Sequence, residues 1–345
     1  PGMDAFAESP EWGGSLVIFP FMYYETYGDD SLIKKYYPNM RRYVDYLKTR
    51  ADKGILSFGL GDWYDYGDFR AGFSRNTPVP LVATAHYYMT VMYLVKAAKM
   101  VGNDFDTRYY TSLAQDIMAA FNKCFLHKDT AQYGTGSQCS NALPLFLQMT
   151  QNADEQGNYQ SDADLHEKVF TNLIKDVEAH GNRLTTGDVG NRYLIQTLAR
   201  NGEHELIYKM FNHEEAPGYG FQLKFGATTL TEQWDPRQGS SWNHFMMGQI
   251  DEWFFNSLVG IRPSTTPKQG YQKFIIAPQP VGDLKYVKAS YETLYGTINV
   301  DWTCENGTFT LNVSVPVNTT AVVYLPGEKE PKEIQSGTYQ LVCAK

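Results

Sequence analysis

From about residue 15 to residue 262 apolar side chains recur at helical spacing, and beyond Pro267 they alternate singly with polar ones. The first region predicts helices over 15–27, 30–50, 80–101 and 104–126. Shorter ones follow over 140–149, 162–179, 189–200, 203–211 and 241–259, about nine in all. Asp30 is an N-cap candidate, Pro38 predicts a break or kink, and Gly28, Gly102 and Gly260 stand where helices should stop. The second region predicts strands over 273–278, 286–294, 296–304, 308–315 and 320–325, with Glu305-Asn306-Gly307 as a hairpin turn.

Long helices separated by loops indicate helical hairpins packed side by side, so the pattern predicts an α-toroid followed by a small antiparallel β-sandwich. The expected domains are a helical one over 1–265 and a β-domain over 266–345. In a toroid the helices form the wall and the loops at one end assemble the site. The glycine-rich connectors here cover 59–72, 134–138, 185–190 and 217–239, and the two longest are the richest in Trp, Asp and Glu.

Composition narrows the function. The 345 residues include 30 Lys+Arg and 38 Asp+Glu, a net charge of −8 with no basic run, which argues against nucleic acid and anionic membrane as main partners. No stretch of 18 apolar residues occurs, so no segment is long enough to span a bilayer as a helix. Aromatic residues make up 14% of the chain, a load that suits stacking on sugar rings, although helix–helix packing accounts for most of them equally well. Cys124, Cys139, Cys304 and Cys343 have no zinc-type spacing; Cys304 and Cys343 either meet across the β-domain or remain buried thiols. Asn306, Asn312 and Asn318 head Asn-x-Ser/Thr triplets, of consequence only in a secreted eukaryotic protein. The first residue is Pro1, so the chain is expected to be processed or part of something longer, with a periplasmic or extracellular setting favoured.

Three segments carry candidate chemistry. Gly226-Ala-Thr-Thr-Leu-Thr-Glu232-Gln-Trp234-Asp235 places two acids beside an indole, an arrangement that can raise a carboxyl pKa or hold a water for attack on a sugar carbon. Directly after it, Ser240-Ser241-Trp242-Asn243-His244 is expected to open a helix whose N–H groups and imidazole can bind hydroxyls. Gly59-Leu-Gly-Asp62-Trp63-Tyr-Asp65-Tyr66-Gly-Asp68 interleaves acids with aromatics; ionised carboxylates are costly to bury for stability alone. A calcium loop competes for that segment, but aromatics fill the intervening positions. Trp12-Gly13-Gly14-Ser15, with Glu8 and Glu11 nearby, is the third. Gly136-Ser-Gln138 and Gly187-Asp188-Val-Gly190-Asn-Arg192 are weaker candidates, equally explained as helix N-caps.

In this order the segments resemble the α-L-rhamnosidases, inverting glycoside hydrolases with an (α/α)6 barrel and a C-terminal β-sandwich. The resemblance covers nearly the whole chain. It rests on Ser9-Pro-Glu-Trp12-Gly-Gly-Ser15, Gly61-Asp62-Trp63, Thr135-Gly-Ser-Gln138 and Thr186-Gly-Asp188-Val-Gly190. It continues through Thr228-Thr-Leu-Thr-Glu232-Gln-Trp234-Asp235, Asn243-His244-Phe-Met-Met-Gly248, Glu252-Trp253 and Leu258-Val-Gly260-Ile261. The resemblance implies Glu232 as the general base and Trp12, Asp62, Trp63 and His244 as pocket residues; Asp65, Trp234 and Asp235 join them as substrate-binding candidates from their segments. It implies a rhamnose-containing glycoside or polysaccharide as substrate, and no cofactor or metal.

The family's general acid lies in an Asp/Arg/Glu-rich motif. Glu8 with Trp12 and Gly14 faintly resembles it, but the flanking Arg and Asp are absent and Ser15 stands where an Asp is expected. Only 51 positions separate Trp12 from Trp63, which suits a later Trp-Gly-Asp-Ala-like motif better. The expectation is therefore a toroid lacking its first helices and its acid, impaired alone, and prone to associate through exposed helices with another copy or with a missing segment. Two other readings stay open: a different α-toroid hydrolase or phosphorylase, for which Arg192 and Arg237 make a thin phosphate site, and a non-catalytic sugar-binding module. Catalysis lost while binding survives in Glu232→Gln separates the last from an enzyme.

Overall fold

The computed structural model describes residues 8–153, 159–239, 241–264 and 270–344. Residue 265, where the domain boundary was expected, and Ser240 lie outside the described residues. Backbone packing divides the chain into two units. One holds most of the chain up to Gly248, and the other holds Pro20–Leu32, Gly202–Tyr208 and the residues from Gln249 onward.

The chain opens with α1 (Pro10–Gly13) and α2 (Ser15–Tyr27), followed by α3 (Ser31–Arg50), α4 (Val79–Met100) and α5 (Asp104–Phe125). In α3 the buried side chains Ile33, Tyr37, Met40, Val44 and Leu47 recur every three or four residues, so one stripe faces the core and the charged remainder faces water. Pro38 does not end this helix, because it lies on the exposed face, where water can stand in for the missing N–H. In α4 every residue from Leu81 to Val91 is buried, the signature of a helix enclosed on all sides. α5 starts at its Asn103 cap, whose side chain accepts from Asp106 N, and is tied to α3 by Tyr37 Oη donating to Asp106 Oδ2 at 2.6 Å and Tyr110 Oη to Asp45 at 2.8 Å.

Two short hairpins, β1 (Leu126–His127) with β2 (Gln132–Tyr133) and β3 (Gln151–Ala153) with β4 (Tyr159–Ser161), flank α6 (Gln138–Phe146). α7 (Ala163–Ala179) begins at Asp162, which caps Leu165 N at 3.0 Å. α8 (Gly190–Arg200), α9 (His204–Phe211) and α10 (Tyr219–Lys224) follow; α10 falls where a loop was expected.

The helix expected over 241–259 is corrected. The backbone from Ser241 is irregular, with a single 3-10 turn at Phe245–Met247, and helix begins only at α11 (Ile250–Trp253), which runs into a π-turn over Phe254–Val259. Its polar start pairs back on the preceding loop instead of coiling: Glu232 N donates to Ser241 O at 2.9 Å and His244 N to Leu230 O at 3.0 Å.

The second unit ends in two four-stranded sheets. Their strands are β5 (Ile261–Pro263), β6 (Lys273–Ile276), β7 (Tyr286–Thr293), β8 (Gly296–Glu305), β9 (Thr308–Val315), β10 (Thr320–Val323), β11 (Lys332–Ile334) and β12 (Gly337–Ala344). The orders are β11-β10-β6-β5 and β12-β9-β8-β7. All pairings are antiparallel except β6 with β10, which run parallel because the chain crosses to the other sheet between them. Asn306 and Gly307, both at positive φ, close the β8–β9 hairpin as expected. Cys304 and Cys343 remain free thiols: each pairs with Phe309, from opposite sides of β9, so two strand spacings of about 4.8 Å separate them, too far for a disulfide.

Candidate functional site

Four loops of the first unit, over 59–77, 134–138, 183–190 and 226–248, are fastened to one another by backbone groups. Tyr64 adopts φ 61°, a left-handed turn that few bulky residues take. It lets Trp63 and Asp65 serve different neighbours. Trp63 O accepts from Asp188 N at 2.7 Å, while Asp65 Oδ2 accepts from Arg75 N at 2.7 Å and Asn76 N at 2.6 Å. Gly187 is required at this crossing, because a Cβ there would stand 2.0 Å from Trp63 O and 2.5 Å from Asp65 N. Gln138 is buried and secures the third loop with both ends of its amide: Nε2 donates to Arg183 O at 3.0 Å and Oε1 accepts from Thr185 N at 2.8 Å. The Trp234 indole donates to Thr186 O at 3.3 Å and joins the fourth loop to the third.

The N-terminal motif attaches to the same platform. Glu11 Oε1 accepts from Gly61 N at 3.0 Å, its other oxygen takes the Ser9 hydroxyl, and burial raises its pKa. Glu8 accepts from Tyr43 Oη at 3.1 Å. Trp12 is half-buried beside them, and Gly13 allows the close approach, since a Cβ there would meet Tyr43 Oη at 2.1 Å.

At the centre lies a group of carboxyls in contrasting surroundings. Asp62 is fully buried; its Oδ1 accepts from Gly190 N at 2.6 Å, and burial pushes its pKa up to about 7. Asp188 is 2% exposed, and burial, with Asp62 and Glu232 as like-charged neighbours, pushes it up to about 8. Burial thus favours the protonated form of both. Glu232 differs from them: its side chain is 23% exposed, Oε2 accepts from Ser241 N at 3.1 Å, and Oε1 lies 3.5 Å from His244 Nδ1. A solvent-reaching carboxyl held by a backbone N–H and next to an imidazole can accept a proton.

The remaining expected site residues divide. Trp63 is half-buried, with Tyr64 and Phe73 edge-on at 5.0 and 5.1 Å, and His244 reaches solvent beside Glu232. Trp234, expected among the substrate-binding residues, is 1% exposed and packs edge-on against Tyr219 at 5.3 Å. Asp65 is 1% exposed and committed to two backbone N–H groups. Asp235 caps the turn at Pro236–Gln238 and holds Arg237 by both oxygens, at 2.8 and 2.9 Å, an ion pair that lowers its pKa. Arg237 also lies over Phe221 and Phe225, and Arg192 lies over Phe146. Among the described residues no group of three or more His, Cys, Asp or Glu is arranged to hold a metal ion. Asp188, only a weak candidate on sequence, is the member of the centre that sequence reasoning undervalued; an acid two residues before a helix resembles an ordinary cap.

Residues 1–258 match the family model for the bacterial alpha-L-rhamnosidase 6 hairpin glycosidase domain, and residues 260–340 that for the bacterial alpha-L-rhamnosidase C-terminal domain. An alpha-L-rhamnosidase of Streptomyces avermitilis is 28% identical over 335 residues, 94% of this chain and 30% of that protein. One from Formosa agariphila is 29% identical over 340 residues, 96% of this chain and 35% of the relative. The solved alpha-L-rhamnosidase of Dictyoglumus thermophilum superposes with a TM-score of 0.86 at 30% identity, covering 98% of this chain and 40% of that one. The Streptomyces avermitilis enzyme complexed with L-rhamnose gives 0.83 at 25% identity, covering 96% and 33%. The chain thus spans about a third of the length of the curated relatives it matches. It is mainly helical, with a helical part that matches the 6 hairpin glycosidase domain ahead of a β-domain, and it belongs to the bacterial alpha-L-rhamnosidase family.

Proposed function

We propose that this chain carries the sugar pocket and the base of a glycoside hydrolase that removes terminal α-L-rhamnose with inversion. The observation that carries the reading is the contrast among the central carboxyls: Asp62 and Asp188 are buried, while Glu232 reaches solvent between Ser241 N and His244. Glu232 takes a proton from water as the water oxygen bonds to the anomeric carbon from the face opposite the leaving group. The glycosidic C–O bond breaks, and the departing oxygen takes a proton from a second carboxyl about 6.5–9.5 Å away. The sugar leaves as β-L-rhamnose.

In this reading Trp12, Trp63 and His244 line the pocket. Asp62, Asp65, Trp234 and Asp235 act through the loops they hold. Glu8 and Glu11 are occupied by Tyr43, Gly61 and Ser9, which supports placing the general acid elsewhere and expecting slow turnover from this chain alone. The engagement of Arg237 with Asp235 counts against a phosphate site and so against phosphorolysis.

Proton NMR during turnover of 4-nitrophenyl α-L-rhamnopyranoside tests the reading. The β anomer should appear first, and Glu232→Gln should slow its release by about 10²–10⁴-fold. First release of the α anomer, or a rate indifferent to Glu232, overturns it.

A further inference from the structure

The first unit holds a cavity of about 460 Å³ that the reading above leaves unused. Two aromatic rings, Tyr66 and Phe69, line it together with the planar or carboxyl groups of Asp68, Asn76, His180 and Arg183. Rings that stack on C–H faces, interspersed with groups that match neighbouring hydroxyls, suit a pyranose ring, and the volume falls within the range of small-molecule sites. The two basic side chains of the lining already have acidic neighbours. Arg183 is paired with Glu215, and His180 Nδ1 lies 3.3 Å from Asp176. A phosphate or carboxylate would have to compete with those partners, whereas a neutral polyhydroxylated ligand would not.

Three chain segments place this cavity next to the Glu232 loops. Tyr66, directly after Asp65, donates its N–H to Thr185 O at 3.1 Å. The residue after Thr185 holds the Trp234 indole, and Asp188, two further on, is a charge neighbour of Glu232. From the third side, the Tyr66 hydroxyl feels the charges of Asp235 and Arg237, three and five positions beyond Glu232. Asn76 Nδ2 donates to Tyr66 O at 2.9 Å and Thr185 O at 3.0 Å, so the wall is held in place without a ligand.

We propose that this cavity is the leaving-group subsite: it receives the neutral sugar ring to which a terminal rhamnose is attached, with Tyr66 as its stacking face and Arg183 and Asp68 as hydroxyl partners. The proposal rests on the rhamnosidase reading for the identity of the neighbouring ring.

Saturation-transfer NMR on the full chain tests it, with a thio-linked α-L-rhamnosyl-(1→4)-glucose that resists hydrolysis. Each ring of the probe reports separately. Both rings should receive saturation in the unaltered chain. Tyr66→Ala and Arg183→Leu should each weaken the glucose-ring signal roughly three- to ten-fold and spare the rhamnose ring, while Tyr66→Phe should retain both. A glucose ring that is silent in the unaltered chain, or unaffected by both substitutions, or lost only together with the rhamnose ring, overturns the proposal. Failure of the rhamnosidase reading shows differently, as a silent rhamnose ring beside a glucose ring that still depends on Tyr66.

Discussion

Gly190 N–H donates to Asp62 Oδ1 at 2.6 Å, joining two loops 128 positions apart in the chain. The donor is the first residue of α8, so the Asp62 carboxyl lies at a helix N-terminus, where the dipole favours negative charge. Burial outweighs this and still pushes Asp62 up to about 7. The loops around Glu232 are thus built on buried carboxyls whose protonated forms are favoured by burial.

A pH dependence follows. Unfolded aspartates lose their protons near pH 3.9, whereas folded Asp62 and Asp188 hold theirs to about 7 and about 8. Between those limits the folded chain binds more protons than the unfolded one, so stability falls as pH rises and levels off above the folded values. His86, buried and lowered to about 4, contributes the opposite slope below its unfolded value and is silent above it. The urea midpoint should therefore fall between roughly pH 6.5 and 9, and Asp188→Asn should flatten that fall. A midpoint that rises over this interval, or an unchanged slope in the variant, contradicts the assignment.

Gly187→Ala should be far more damaging than its size suggests. Its Cβ would meet two backbone atoms, Trp63 O and Asp65 N, which cannot rotate away. A cost of about 1–3 kcal/mol or more is expected, together with loss of L-rhamnose binding, because the Trp63 turn must shift. Thermal unfolding and a sugar titration on the same sample check this; an alanine variant equal to the parent in both would show that the crossing is looser than described.

Gln138→Leu removes a buried amide and strands both of its partners, Thr185 N and Arg183 O. Two unsatisfied backbone groups are worth roughly 2–5 kcal/mol. Amide exchange over 183–190 should accelerate in the variant more than exchange in α4, which shares none of these bonds. Equal acceleration everywhere would point to a global effect instead.

The contrast between legible and hidden parts has physical reasons. The stripe in α3, the enclosed run in α4 and the Asn306-Gly307 turn are local patterns, and they appear within a residue or two of their expected places. Residues 241–249 carry the same apolar spacing but pair with 229–232, a tertiary contact that overrides periodicity. The acids of the centre were visible as residue types. That Asp235 would be spent on Arg237, Asp65 on two backbone N–H groups and Trp234 on Thr186 O depends on partners remote in sequence or on turn geometry, which spacing does not report.

If these loops form a rhamnose pocket in which Glu232 acts on water and does not hold the sugar, calorimetric titration of the full chain with L-rhamnose, beside Glu232→Gln and Trp63→Ala, will show it. One saturable site per chain is expected, with an affinity for Glu232→Gln within a few-fold of the parent and a loss of about ten-fold or more for Trp63→Ala. No saturable binding, or binding that survives Trp63→Ala unchanged, would contradict it.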